Sequence, residues 1–118
     1  MPVLITDDFK GKELYFDMRP NGIGEKAEGF WAVPLFDSDR KEIARRAEAR
    51  GKNAQIWVEM LVFAVRRWEG FVDLQGNDIP CTEDTIRNLC ESDYSTMMVI
   101  LNMVLEAAKS GKLVAEKN

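Results

Sequence analysis

Chemistry in this chain has to come from carboxylates, lysines, tyrosines or thiols, because the sequence contains no histidine. That absence removes Ser-His-Asp and Cys-His nucleophile systems, histidine general bases and histidine-containing zinc sites. The carboxylates gather as Asp7-Asp8, Asp73 with Asp78, and Glu83-Asp84. Asp73-x-x-Gly76-x-Asp78 has the outline of a calcium loop. It lacks the alternating oxygen ligands and the glutamate of the twelfth position, where Asp84 stands. Glu83-Asp84 reads as charge placed in the positive first turn of a helix, and Asp7-Asp8 as solvated turn polarity. Cys81 and Cys90 make no Cys-x-x-Cys pair, and two thiols cannot complete an all-cysteine tetrahedral zinc site. They read as structural or incidental thiols of a reducing compartment. Gly22-Ile23-Gly24 lacks the third glycine of a dinucleotide fingerprint, and no Walker lysine motif exists. No catalytic, cofactor-binding or metal-ligating residue emerges, and the expectation is a non-enzymatic protein without cofactors.

Charge and apolar surplus point to binding instead. Residues 38–52 hold Arg40, Lys41, Arg45, Arg46, Arg50 and Lys52 against Asp39, Glu42 and Glu48. Residues 82–96 hold Glu83, Asp84, Glu91 and Asp93 against Arg87. The positive stretch carries no aromatic residue for stacking and is interleaved with acids. Internal or intersubunit charge complementarity therefore explains it more simply than nucleic-acid binding. The formal net charge of −4, from 16 Lys+Arg and 20 Asp+Glu, also disfavours a protein that coats nucleic acid. Six methionines are present, with Met60 on one apolar stretch and Met97, Met98 and Met103 on another. Flexible, polarizable methionines make adaptable grooves for partner helices as well as cores.

These residues must be carried by a single small domain. The chain has 118 residues, 46% hydrophobic and 31% charged, which is ordinary for a globular protein and argues against disorder of the whole chain. No basic leader followed by a long apolar run opens the sequence. The longest uncharged window, Tyr94 to Leu105, is too short to span a bilayer, so a soluble intracellular protein is expected. The fold class read from the pattern is mainly α. It comprises a small helical domain of about four helices, with a short β-containing or extended N-terminal segment.

Residues 1–36 form that N-terminal segment. Its apolar runs are Val3-Leu4-Ile5, Leu14-Tyr15-Phe16 and Phe30-Trp31-Ala32-Val33, and a turn is expected at Pro20-Asn21-Gly22-Ile23-Gly24. Residues 37–111 form the helical domain, and 112–118 a flexible tail. The first helix starts at Asp37-Ser38, either of which can cap it, and stops at Gly51. The second starts near Asn53, is apolar nearly all round from Ile56 to Val65, and ends at Arg66-Arg67-Trp68-Glu69-Gly70. A turn bracketed by Asp73 and Gly76 follows, with Phe71-Val72 and Asn77-Asp78-Ile79 able to pair as a very short hairpin. Thr82 caps the third helix, whose stripe is Ile86, Leu89 and Cys90. Ser92 or Asp93 caps the fourth, which carries Met97, Ile100, Leu101, Val104, Leu105 and Ala108 and ends near Gly111.

The stretch Val65-Arg66-Arg67-Trp68-Glu69-Gly70-Phe71-Val72-Asp73-Leu74-Gln75-Gly76-Asn77-Asp78-Ile79-Pro80-Cys81-Thr82-Glu83-Asp84 resembles the tail assembly chaperones of long-tailed bacteriophages and prophages. In that family a helix ends in a tryptophan-glutamate-glycine element. An aspartate-x-x-glycine turn follows, then a small apolar residue with proline, then a capped helix. Phe30 to Leu35 running into Asp37 to Ile43 agrees with the family's extended segment entering a polar helix. Leu89 and Asp93-Tyr94 stand where its last helix pair lies. The resemblance covers residues 29–108. It implies a protein–protein interaction role: binding the long, helical tape-measure protein and helping to recruit tail-tube protein during phage tail assembly. It further implies work in the cytoplasm of the bacterial host cell, absence from the mature virion, and a family habit of a second, frameshifted product.

The candidate partner-binding residues are Trp57, Met60, Phe63 and Trp68 around the second helix, Met97, Met98 and Leu101 on the fourth, and Arg45 and Arg46 on the first. Surplus apolar surface on the second and fourth helices also suggests self-association. The alternative reading is a small acidic regulatory adaptor that binds a cellular protein or nucleic acid through the Arg40–Arg67 cations.

Overall fold

Short apolar and aromatic runs bounded by glycine, proline and aspartate favour strands. The computed structural model describes residues 12–19, 28–51 and 55–109, and two such runs form β1 (Leu14–Asp17) and β2 (Gly29–Ala32) within it. They pair antiparallel, with Tyr15 opposite Trp31 and Phe16 opposite Phe30. A third strand, β3 (Val65–Glu69), pairs antiparallel with β2 and sets Trp68 opposite Phe30, giving the sheet order β1-β2-β3.

β3 corrects the expected end of the second helix. That helix, α2 (Ile56–Ala64), stops where Val65 turns to extended backbone at φ −78° and ψ 123°, and Arg66 to Glu69 run on as strand. The local residues, rich in arginine and glutamate, favour helix. Pairing with β2 overrides that preference and puts Trp68 opposite Phe30. Trp31 pairs with Arg67 while Ala32 pairs with Val65, so Arg66 is the extra residue of a bulge. Among the described residues the fold is therefore mixed: four helices with a small antiparallel sheet. That sheet joins residues 14–17 and 29–32 to residues 65–69.

The remaining helices are α1 (Asp37–Ala49), α3 (Glu83–Ser92) and α4 (Tyr94–Lys109). Neither Asp37 nor Ser38 caps α1. The cap is Phe36, whose amide donates back to the Asp39 carboxylate at 3.3 Å, and Asp37 and Ser38 lie in the first turn. Gly51, at φ 70°, follows the end of α1 in a conformation costly for other residues. Thr82 caps α3 by accepting from the Thr85 amide at 3.2 Å, and Asp93 accepts from Thr96 at 3.4 Å at the start of α4.

α2 is central, touching α1, α3, α4 and β3. Phe30, Leu35, Leu61, Met97, Ile100 and Val104 are fully buried and join the inner sheet face to α2 and α4. On the outer sheet face Tyr15 crosses Gly29 to donate to Glu69 Oε1 at 2.9 Å, while Trp31 packs edge-on against Tyr15 and lies 4.2 Å beneath the Arg67 guanidinium. The expected Val3-Leu4-Ile5 strand, the Pro20–Gly24 turn, the Asn53 helix start, the Ala108 side chain, the Gly111 stop and the tail lie outside the described residues.

Candidate functional site

The segment from Trp68 to Ile79 folds as one unit. Gly70 leaves β3 at φ 83° and Gly76 turns at φ 80°. Asp73 Oδ1 accepts from the Gln75 and Asn77 amides at 2.9 and 3.0 Å, the side-chain turn that aspartate favours. Val72 bridges Asp78, and the Ile79 amide donates to the Phe71 carbonyl at 2.8 Å, so the short hairpin forms as its sequence suggests. Trp68 holds this hairpin from behind: its indole N–H donates to the Ile79 carbonyl at 2.7 Å and its ring stacks on Phe71 at 4.8 Å. A groove of about 250 Å³ opens beside it, lined by Phe71, Val72, Ile79, Leu89 and Met97, with Asp93 and Thr96 where α4 begins. Its chemistry suits an apolar side chain, with a carboxylate at the rim.

A second concavity of about 200 Å³ lies between α1 and α2. Ile43, Val62 and Phe63 give it apolar walls, and Arg46, Arg50 and Glu59 give it charge. The Arg66 guanidinium sits 5.8 Å over the Phe63 ring. Glu59 accepts from Arg87 of α3 at 2.9 Å, and this bond is the main reason the Arg87 pKa is raised. Arg45 and Arg46 both reach Glu42, at 2.6 and 3.0 Å, and these hydrogen bonds hold the Glu42 carboxyl at about 2. Asp37 takes Lys41 at 3.0 Å and Arg40 at 3.4 Å in the same way.

The candidate residues separate on this frame. Phe63, at 37% exposure, and Arg46 come together in the α1–α2 cleft. Trp68 stands behind the hairpin groove. Trp57 is half-buried and packs edge-on against the exposed Tyr94 at 5.3 Å. Met60 and Met98 are half-buried against the core. Met97 and Leu101 face inward on α4. They are 1% and 3% exposed, closed into the core, with only Met97 reaching the wall of the groove. The open apolar positions of α4 are Tyr94 and Val99, and those of the hairpin are Val72 and Leu74. Spacing alone does not single these out, because helical periodicity cannot say which stripe meets α2.

The thiols are held as thiols: burial pushes Cys81 up to about 11 and also raises Cys90. Among the described residues, no cluster of three or more histidine, cysteine or acidic side chains is placed to hold a metal ion, and no helix is long and apolar enough to cross a membrane. No protein-family model, curated protein or solved structure matches the chain.

Proposed function

We propose that this chain is a non-enzymatic tail assembly chaperone of a long-tailed phage or prophage, holding apolar helical stretches of the tape-measure protein and helping to bring tail-tube protein to them. The Trp68–Ile79 hydrogen bond carries the reading. Within the segment that resembles the family, it ties the tryptophan-glutamate-glycine element to the far strand of the hairpin across the aspartate turn, beside an apolar groove. One feature departs from the family pattern: Trp68-Glu69 closes a strand rather than a helix. Exposed Val72, Leu74, Tyr94 and Val99 add adaptable apolar surface around the scaffold. On this reading the protein works in the host cytoplasm and leaves before the virion is complete. An adaptor gripping nucleic acid through the Arg40–Arg67 cations draws less support, because Arg40, Lys41 and Arg45 are engaged by Asp37 or Glu42.

The test is a tagged pull-down during co-expression with neighbouring phage-type reading frames, read by mass spectrometry. Recovery of a long, helix-rich tape-measure protein with the tagged chain supports the reading. Recovery of the tagged chain alone refutes it.

A further inference from the structure

We infer that the cleft between α1 and α2 docks an acidic, apolar-anchored segment of a partner protein. The cleft presents Phe63 and Val62 as an anchor site, with the guanidiniums of Arg46, Arg50 and Arg66 around it. Glu59 in the same wall is engaged by Arg87 at 2.9 Å, and Glu42 offsets part of Arg46, so the balance left to an incoming segment is positive. Guanidinium forks match carboxylates in a planar, two-bond geometry. A leucine or phenylalanine entering beside Phe63, with aspartate or glutamate one turn away, satisfies both halves of the site.

The same details disfavour a polyanion. Arg66 occupies one face of the Phe63 ring, which a stacked base would need. The cleft is separate from the hairpin groove, so this inference does not rest on the tail-assembly reading, and failure of tape-measure recovery leaves it standing.

The test titrates the full chain into three fluorescein-labelled probes and reads anisotropy. Two are synthetic helices with the same leucine stripe, flanked in one by glutamates and in the other by lysines. The third is a single-stranded DNA oligonucleotide. The glutamate helix is expected to bind, with the lysine helix and the DNA about tenfold weaker or worse. Arg50→Gln with Arg66→Gln, and separately Phe63→Ala, should each weaken the glutamate helix by about tenfold while circular dichroism shows an unchanged fold. No binding of the glutamate helix, equal binding of both helices, full affinity in the arginine variant, or tighter binding of DNA would each overturn the inference.

Discussion

Replacing Trp68 with phenylalanine, and separately with alanine, divides what this side chain does for the hairpin into two parts. The phenylalanine variant keeps a ring against Phe71 and loses the donor to the Ile79 carbonyl. Ile79 is half-buried, so water can reach part of the vacated acceptor, and the loss should be about 1 kcal/mol. The alanine variant also loses the stack on Phe71, worth about 0.5–1.5 kcal/mol beyond area burial, and the ring's place opposite Phe30 in the sheet. Trp68 is half-buried, which puts its removal at the low end of the range for buried aromatic truncation, about 3 kcal/mol. Urea unfolding followed by far-ultraviolet circular dichroism measures both, with the denaturant slope expected to stay constant. Hydrogen exchange supplies the local readout. The Ile79 and Asp73 amides, which donate within the hairpin, should lose protection in the alanine variant before those of α4 do. An alanine variant within about 0.5 kcal/mol of the parent, or with an equally protected Ile79 amide, refutes the role assigned to Trp68.

Three further predictions test other supports. A β-carbon at Gly29 would meet the Tyr15 hydroxyl and come within 2.5 Å of the Phe16 carbonyl oxygen, so Gly29→Ala should lower stability by about 1–3 kcal/mol in the same urea assay; a neutral result contradicts the Tyr15 crossing. Thr82→Ala should cost about 1 kcal/mol by removing the α3 cap, seen as a lower melting temperature; an unchanged melt contradicts the cap. Glu42 has its carboxyl lowered from 4.5 to about 2, so its ionised form contributes stability that is present above its unfolded pKa and fades as pH falls toward about 2. The melting-temperature advantage of the parent over Glu42→Gln should therefore be level at neutral pH and shrink through that window, and a gap undiminished at pH about 2 contradicts the Arg45–Glu42–Arg46 pairing.

What the sequence reveals is mostly local. Thr82 before Glu83-Asp84, the Asp73 turn with Gly76, and Gly51 after the first helix each act within a few residues, and each appears where its chemistry places it. β3 is different. Val65 to Glu69 continue an apolar helix without a breaker, and only Phe30 and Trp31, more than 30 positions away, give them a strand to pair with. The cap of α1 misleads for a different reason: Asp39 reaches back to the Phe36 amide, so the cap lies one residue before the polar pair that looks built to supply it. The cleft depends on distant partners as well. Glu59, in its wall, is tied to Arg87 across 28 positions. Composition alone makes Met97 and Leu101 candidates for an interaction face, and in the structure both are buried where α4 packs on the core.

The measurement that bears most directly on the chaperone reading is solubility fractionation of a long-tailed phage tape-measure protein. It should be expressed alone, with the parent chain, and with a Val72→Glu variant that puts a charge at the exposed lip of the hairpin groove. The account predicts a tape-measure protein that pellets alone, stays in the supernatant with the parent, and returns to the pellet with the variant while the variant itself remains folded and soluble. A tape-measure protein that pellets equally in all three, or that the variant rescues as well as the parent does, contradicts it.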